Sequence, residues 1–118
     1  MSNNACEQLH KKEIMAVHDA MDVLNGKWKI SIISSICYHN KRRFSDILND
    51  IQGISNKMLS KELKEMEMNK LIQRKVLDTQ PITVQYQLTE YGLTLQKIID
   101  ELADWGMKHR RAIMTAAE

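Results

Sequence analysis

Residues 42–92 read RRFSDILNDIQGISNKMLSKELKEMEMNKLIQRKVLDTQPITVQYQLTEYG, and this stretch decides the fold that the chain is expected to adopt. Its first half carries apolar residues at helical spacing, interrupted at Gly53 by a residue suited to a sharp turn. From Ile82 to Leu88, apolar and polar residues alternate with the period of a half-buried strand. A partner strand at about residues 71–77 precedes the turn at residues 78–81, where Pro81 cannot belong to a central strand. The stretch therefore predicts two short helices followed by a β-hairpin.

Capping residues set the expected ends of these helices. Ser45 and Ser55 are each placed to cap a helix, and Asn69 suits a left-handed exit from the second one. Thr89 is expected to cap a long last helix over residues 90–117.

Two more helices are expected upstream. Apolar residues recur at helical spacing from Ile14 to Leu24, and Asn25-Gly26 then ends that helix. The Ile-rich segment from Trp28 to Tyr38 has some strand character, but its length of about three turns favours a helix. The predicted fold class is thus mainly α with a small β-hairpin (α+β). At 118 residues, the chain is expected to form a single domain over residues 1–118, with a polar leader at residues 1–10.

The composition is that of a globular protein with no membrane span. Apolar residues make up 43% of the chain, and no apolar run is long enough to cross a bilayer. The first residues lack the basic and apolar blocks of a signal peptide. Two distant cysteines, Cys6 and Cys37, give no disulfide framework. A reducing cytoplasm is the expected compartment.

No motif for catalysis or for a cofactor is visible. The chain lacks a P-loop, a Gly-rich dinucleotide turn, a His-Glu-x-x-His pair and a Cys-x-x-Cys pair. Cys6 and His10 have a spacing that could hold a metal, but His18, His39 and His109 complete no motif around them. We therefore expect no enzyme, no cofactor and no metal.

Positive charge is concentrated in one part of the chain. Residues 41–75 hold nine Lys or Arg and five Asp or Glu, a net charge of +4, whereas the rest of the chain carries −2. A basic field gathered on one supersecondary unit is typical of proteins that bind duplex DNA.

The helix after Ser55 divides its residues between two faces. Leu59, Leu63 and Met66 share one side, and lysines with small polar residues occupy the opposite side. The acids at positions 62, 65 and 67 fall on the flanks, where they are expected to pair with lysines one turn away. A helix with such a face, preceded by a tight turn, is typical of the second helix of a helix-turn-helix. This second helix is the one that enters the major groove. The residues expected to contact DNA are Arg42, Arg43, Ser55, Asn56, Lys57, Ser60, Lys61, Lys64, Arg74 and Lys75.

Two alternatives remain open for this basic face. It is either ordinary solvated surface, or the contact surface of a winged-helix module that binds an acidic protein. Selective retention of DNA fragments would separate the DNA-binding hypothesis from both.

Five segments carry a resemblance to a known family, in order and spread over about residues 6 to 109. They are Gly26-Lys27-Trp28, residues 43–47, residues 53–59, residues 81–92 and Trp105-Gly106. In these segments the chain resembles the HxlR family of winged-helix transcription regulators. The resemblance implies a dimeric bacterial DNA-binding regulator related to the MarR group, either a repressor or a switchable regulator. It further implies that the helix after Ser55 is the recognition helix and that residues 78–81 form the tip of the wing, although the wing lacks the basic residue that members commonly carry near Thr83.

The terminal helices are expected to pair with those of a second copy of the chain. The apolar stripe of the last helix runs for about six turns, which is longer than a domain of this size needs to cover its own core. A dimer would place two recognition helices on one face of a pseudo-palindromic site. The residues expected at this interface are Ile14, Val17, Leu95, Ile98, Ile99, Leu102, Trp105, Gly106, His109 and Ile113.

Cys6 is a candidate redox sensor. It lies in the polar leader, where His10, Lys11 and Lys12 would lower the pKa of its thiol if the segment became helical. Some members of the family that the chain resembles sense oxidants through an N-terminal cysteine. An inert surface thiol is the alternative, so the sequence leaves open whether an oxidant or a small molecule is the effector.

Overall fold

A computed structural model describes residues 10–117 of the chain, with side chains up to residue 115. The described part contains six helices and three strands, which confirms the expected mainly helical fold with a small antiparallel sheet. In chain order they are α1 (Lys11–Leu24), α2 (Lys29–His39), β1 (Lys41–Arg43), α3 (Phe44–Asp50), α4 (Asn56–Met68), β2 (Ile72–Leu77), β3 (Thr83–Leu88), α5 (Glu90–Leu93) and α6 (Leu95–Ala117).

The sheet has three strands rather than the two that the sequence predicts. Strands β2 and β3 form the expected hairpin, with Ile72 opposite Leu88 and Leu77 opposite Thr83. Strand β1 pairs antiparallel with the other edge of β3, so the strand order is β1-β3-β2. β1 is only three residues long, and so short a segment shows no alternation from which a strand could be predicted.

The core lies between the sheet and helices α2, α3 and α4. Most of the isoleucines of α2 point into it, which supports the helical interpretation of residues 28–38. The buried apolar residues are Ile32, Ile33, Ile36, Ile47, Ile51, Ile54, Leu59, Leu63, Met66, Leu71, Ile72, Tyr86 and Leu88.

Two of the predicted helix ends are wrong by one or two residues. Helix α3 begins at Phe44 rather than after Ser45, and the backbone N–H of Arg43 donates to the Asp46 carboxylate at 3.3 Å. The N-cap of α3 is therefore Arg43, and an acid in the third helical position accepts the backbone N–H of this cap residue. The left-handed residue after α4 is Lys70, with φ of 65°, and not Asn69. Ser55 caps α4 as predicted, and its hydroxyl accepts the N–H of Met58 at 3.0 Å.

The predicted long last helix is divided in two. Thr89 caps only the short helix α5, where its hydroxyl accepts the N–H of Gly92 at 2.9 Å and donates to the Lys70 carbonyl at 2.7 Å. A Cβ at Gly92 would overlap the carbonyl oxygen of Leu71, so glycine lets α5 pack directly on the start of β2. Helix α6 then begins at Leu95.

Helices α1 and α6 extend away from the core. Helix α1 buries none of its residues, and the apolar side chains of α6 beyond Ile99 are exposed. The radius of gyration is 17.8 Å, compared with about 13 Å for a compact domain of this length. Within the described residues, no helix combines the length and the apolar character that a membrane crossing requires.

Candidate nucleic-acid interface

Helix α4 divides its residues as the sequence predicts. Leu59, Leu63 and Met66 are at most 2% exposed and fix its inner side against the core. The polar and basic residues of the other side are exposed, namely Asn56, Lys57, Ser60, Lys61 and Lys64. Ser55 and its cap place the first of these residues at the helix N-terminus, where side chains of a recognition helix meet base edges.

The acids of α4 do not pair with the lysines of their own helix, and that prediction is wrong. Glu62 and Glu65 both bind the ammonium of Lys29 on α2, at 2.7 Å and 2.9 Å. Glu67 instead faces Arg74 on β2, with 3.8 Å between Nε and the carboxylate oxygen. Among the described residues, no carboxylate lies within 4.0 Å of the ammonium groups of the three outward lysines. These three lysines therefore form no close ion pair within the described residues, although Lys61 is near enough to Glu65 to help lower the pKa of that carboxyl.

Lys29 is a buried cation that sequence reasoning missed. It is 5% exposed, and it connects α2 to the recognition-helix candidate through two carboxylates. Burial alone would lower the pKa of Lys29, but Glu62 and Glu65 outweigh that effect and raise the pKa above its ordinary 10.5. Lys29 in turn lowers the pKa of Glu65. In the sequence, Lys29 is one polar residue at the start of an apolar helix, and nothing local signals its distant partners.

The strand register places the arginines and lysines that are predicted to contact DNA on two different faces of the sheet. Arg42, Tyr86 and Arg74 stand opposite one another on β1, β3 and β2, and their side chains share the face that is turned toward the helices. Arg43 and Lys75 both stand opposite Gln85, on the outer face. Lys41 lies on that outer face too, beside Gln73 and Gln87.

Arg42 is placed differently from what the sequence predicts. Its side chain is only 16% exposed, its guanidinium lies 3.2 Å from the Asp50 carboxylate, and it donates to the Asp46 carbonyl at 3.4 Å. These contacts attach Arg42 to α3, and its contact with DNA stays a prediction.

A groove of about 590 Å³ runs between α4 and the sheet. It brings together two of the predicted cations, Lys64 and Arg74, which are ten residues apart in the chain. The other residues that line it are Ser60, Lys61, Leu63, Glu67 and Tyr86.

The residues predicted at a dimer interface fall into two groups. Leu95 and Ile99, at the base of α6, are half-buried against the core of the same chain. Farther along, Leu102 is 51% exposed and Trp105 is 65% exposed, with the Trp105 ring stacked on His109 at 4.9 Å. A Cβ at Gly106 would meet no atom of the described residues within 4 Å. Ile14, Val17, Ile98 and Ile113 are likewise exposed.

The remaining predicted features concern cysteine and metal. Cys6 lies outside the described residues. Cys37 is free, half-buried and packed beside the core. Within residues 10–117, no cluster of three or more His, Cys, Asp or Glu could hold a metal ion.

Comparison with known protein families gives a match over residues 23–114 to the family described as HxlR-like helix-turn-helix. The matched region contains α2 to α5, the sheet and most of α6.

Individual relatives agree with this match. An HTH-type transcriptional regulator of Bacillus subtilis, YtcD, is 37% identical over 99 residues, which cover 84% of this chain and 78% of YtcD. The reduced form of YodB from Bacillus subtilis is 35% identical with a TM-score of 0.70, covering 83% of this chain and 91% of YodB; a diamide-treated form of YodB has also been solved. A MarR-family regulator from Porphyromonas gingivalis is 39% identical with a TM-score of 0.70, covering 77% of this chain and 88% of that protein.

Proposed function

Since the chain belongs to the HxlR-like helix-turn-helix family of transcriptional regulators, we propose that it acts as a repressor or switchable regulator that binds its operator as a homodimer. The observation that carries this proposal is the outward face of α4, whose lysines form no ion pair within 4.0 Å among the described residues while its leucines are buried. Because the apolar side of α4 is buried against the core, the helix can present its polar and basic side to the major groove.

The residues of α4 divide into two roles. Ser55, Asn56 and Lys57, with Ser60 and Lys61 one turn later, would face base edges in the groove. Lys64 and Arg74 would contact phosphates and supply salt-dependent affinity. On the outer face of the sheet, Arg43 and Lys75 would reach phosphates beside the wing at residues 78–81.

The dimer is proposed from the terminal helices. Helices α1 and α6 project from the core with exposed apolar side chains, and these would be covered by the same helices of a second copy. Two recognition helices on one side of such a dimer would read half-sites about 34 Å apart, which corresponds to one duplex turn.

A selection from genomic fragments, followed by gel-shift assays at two salt concentrations, tests the proposal. We expect selective retention by the parent and little retention by a variant in which Lys57, Lys61 and Lys64 are all alanine. A matched control is Lys97→Ala, which removes an exposed lysine of α6. Equal binding by the triple variant would refute the assignment of α4 to the groove. Absence of selective binding by the parent would instead favour a module that binds an acidic protein.

Redox control through Cys6 is a further part of the proposal. It is supported by the similarity to YodB, for which both a reduced and a diamide-treated structure exist. DNA affinity should change after mild oxidation of the parent and of Cys37→Ala, but not of Cys6→Ser. If oxidation leaves the parent's affinity unchanged, Cys6 is an inert thiol.

A further inference from the structure

Tyr86 is a buried tyrosine whose hydroxyl has no hydrogen-bond partner among the described residues. The residue is 8% exposed and stands in the middle of the sheet, on the central strand β3. Neither of the arginines opposite it, Arg42 and Arg74, forms a hydrogen bond with it. The hydroxyl oxygen is not among the fully buried polar atoms that lack a partner, so it is the solvent-accessible end of an otherwise buried side chain and can bind a group from solution.

The environment of Tyr86 is the basic groove between α4 and the sheet. Tyr86 forms part of the wall of this groove, together with the cationic side chains of Lys61, Lys64 and Arg74. The loose pair between Arg74 and Glu67 holds the guanidinium at the same groove. The groove is therefore lined by three cations, one carboxylate (Glu67) and one hydroxyl without a hydrogen-bond partner in the described residues, and it is large enough for a phosphate group.

We propose that this groove is a seat for one phosphate of the DNA backbone, in which Tyr86 donates a hydrogen bond to the phosphate and Lys64 and Arg74 supply the positive charge. The proposal rests on the proposed DNA-binding function and adds a binding residue to it. Tyrosine side chains donate to backbone phosphates, and because the Tyr86 side chain is buried except at its hydroxyl, this donor would fix the position of the phosphate relative to α4 and the wing.

The protonation state of Tyr86 fits this role. Burial raises the pKa of the phenol above its ordinary 10.0; Arg74 lowers it and Glu67 raises it. The hydroxyl consequently keeps its proton at neutral pH and acts as a donor toward an anion.

The test is the variant Tyr86→Phe, which removes only the hydroxyl. Binding to a fluorescein-labelled 30-base-pair duplex of arbitrary sequence should be followed by anisotropy over a series of salt concentrations, since phosphate contacts dominate non-specific binding. We expect about tenfold weaker binding at each salt concentration, with an unchanged dependence of log K on log salt, because a neutral donor releases no counterion. Arg74→Gln should also weaken binding, but it should reduce the salt slope by about 0.9.

Two further variants complete the experiment. Tyr91→Phe, at an exposed tyrosine of α5, is the matched control and should bind like the parent. Glu67→Gln removes the negative charge in the groove and should tighten binding about threefold. The thermal midpoint of Tyr86→Phe should equal that of the parent, because the hydroxyl makes no hydrogen bond within the described residues and is accessible to solvent.

The outcomes separate this proposal from the proposed function. If the parent binds the duplex and Tyr86→Phe binds equally well, the phosphate seat is refuted while DNA binding stands. If Tyr86→Phe lowers the thermal midpoint along with the affinity, its role is structural and the seat is again refuted. If the parent itself does not bind duplex DNA at low salt, the proposed function fails, and the seat fails with it.

Discussion

The ammonium of Lys29 lies 2.7 Å from a carboxylate oxygen of Glu62, and both residues are more than nine-tenths buried. This pair joins α2, which is anchored in the core, to α4, whose outer face is the proposed DNA-reading surface. Because two buried charges stabilise a protein only in a favourable geometry, the pair restricts how α4 can rotate or slide on the core.

Replacing Lys29 by methionine should destabilise the fold by about 3 kcal/mol, since it leaves the Glu62 carboxylate buried without its partner. Urea unfolding of the parent and of the variant measures this difference. The control is the double variant Lys29→Met with Glu62→Leu, which replaces the pair by apolar residues and should recover most of the loss. A single variant as stable as the parent would contradict the importance of the pair.

The contact of Lys29 with Glu65 should make stability depend on pH at both extremes. The pKa of Glu65 is lowered in the folded state, so its contribution is present above about pH 4.5 and is lost as the pH falls through the folded value. The pKa of Lys29 is raised, so its contribution is present below about pH 10.5 and is lost as the pH rises through the folded value. Urea midpoints across the pH range measure both effects, and Glu65→Gln should weaken the acid-side dependence. A Gln variant with the same acid dependence as the parent would assign that dependence to other carboxyls.

Lys64 and Asn56 should differ in how their loss affects DNA binding. Lys64→Ala should weaken binding to all sequences and reduce the salt slope by about 0.9, because one phosphate contact is lost. Asn56→Ala should keep the slope and instead relax the preference among bases at one position of the site. Anisotropy titrations on the selected site and on point variants of it distinguish the two. The same pattern of losses for both variants would be inconsistent with the assigned roles.

Leu102→Glu should convert a dimer into monomers without unfolding the chain. Leu102 is 51% exposed and lies in the middle of the α6 stripe, where a buried carboxylate would oppose pairing. Sedimentation equilibrium measures the mass, and circular dichroism checks the helical content. The matched control is Met107→Glu, because Met107 is similarly exposed but lies about 140° around the helix from Leu102. Loss of the dimer in both variants would point to a general effect of added negative charge.

Gly92→Ala should destabilise the chain by about 2 kcal/mol or more, since the added methyl group overlaps the Leu71 carbonyl and displaces α5 from β2. Thermal unfolding at one protein concentration gives the comparison. Gly106→Ala is the control, because a methyl group there meets no atom within 4 Å in the part of the chain that the structure describes. If Gly92→Ala is as stable as the parent, α5 and the Leu71 backbone can move apart at little cost in free energy.

Sequence patterns predicted most of the fold because its main elements have a clear period or cap. The alternation from residue 82 to 88 gave the hairpin strand β3, and Ser55 marked the start of α4. Strand β1 has only three residues and could not be predicted, because it becomes a strand by pairing with β3, a partner more than 40 residues away. The predicted cap at Ser45 was wrong because the helix begins earlier: Arg43 is the N-cap, and its backbone N–H donates to the carboxylate of Asp46 in the third helical position.

In the candidate site too, features set by local spacing could be predicted from the sequence, whereas features set by contacts between distant residues could not. The burial of Leu59, Leu63 and Met66 follows from their helical spacing, so the outward direction of the lysines was predictable. The pairing of the acids was not, because Lys29 lies more than 30 residues upstream and reaches Glu62 only once α2 and α4 have packed together. The inward position of Arg42 likewise depends on a distant partner, because the pairing of β1 with β3 places Arg42 opposite Tyr86 on the face turned toward the helices, where it binds Asp50.

By itself, the sequence determined which residues form helices and strands and which side of α4 is apolar, because spacing along a chain fixes the face on which a residue appears. Tertiary structure alone decided which charges are neutralised and which remain available. Ion pairing depends on distances of a few ångströms between residues far apart in the chain, and only the packing of α2, α4 and the sheet sets those distances.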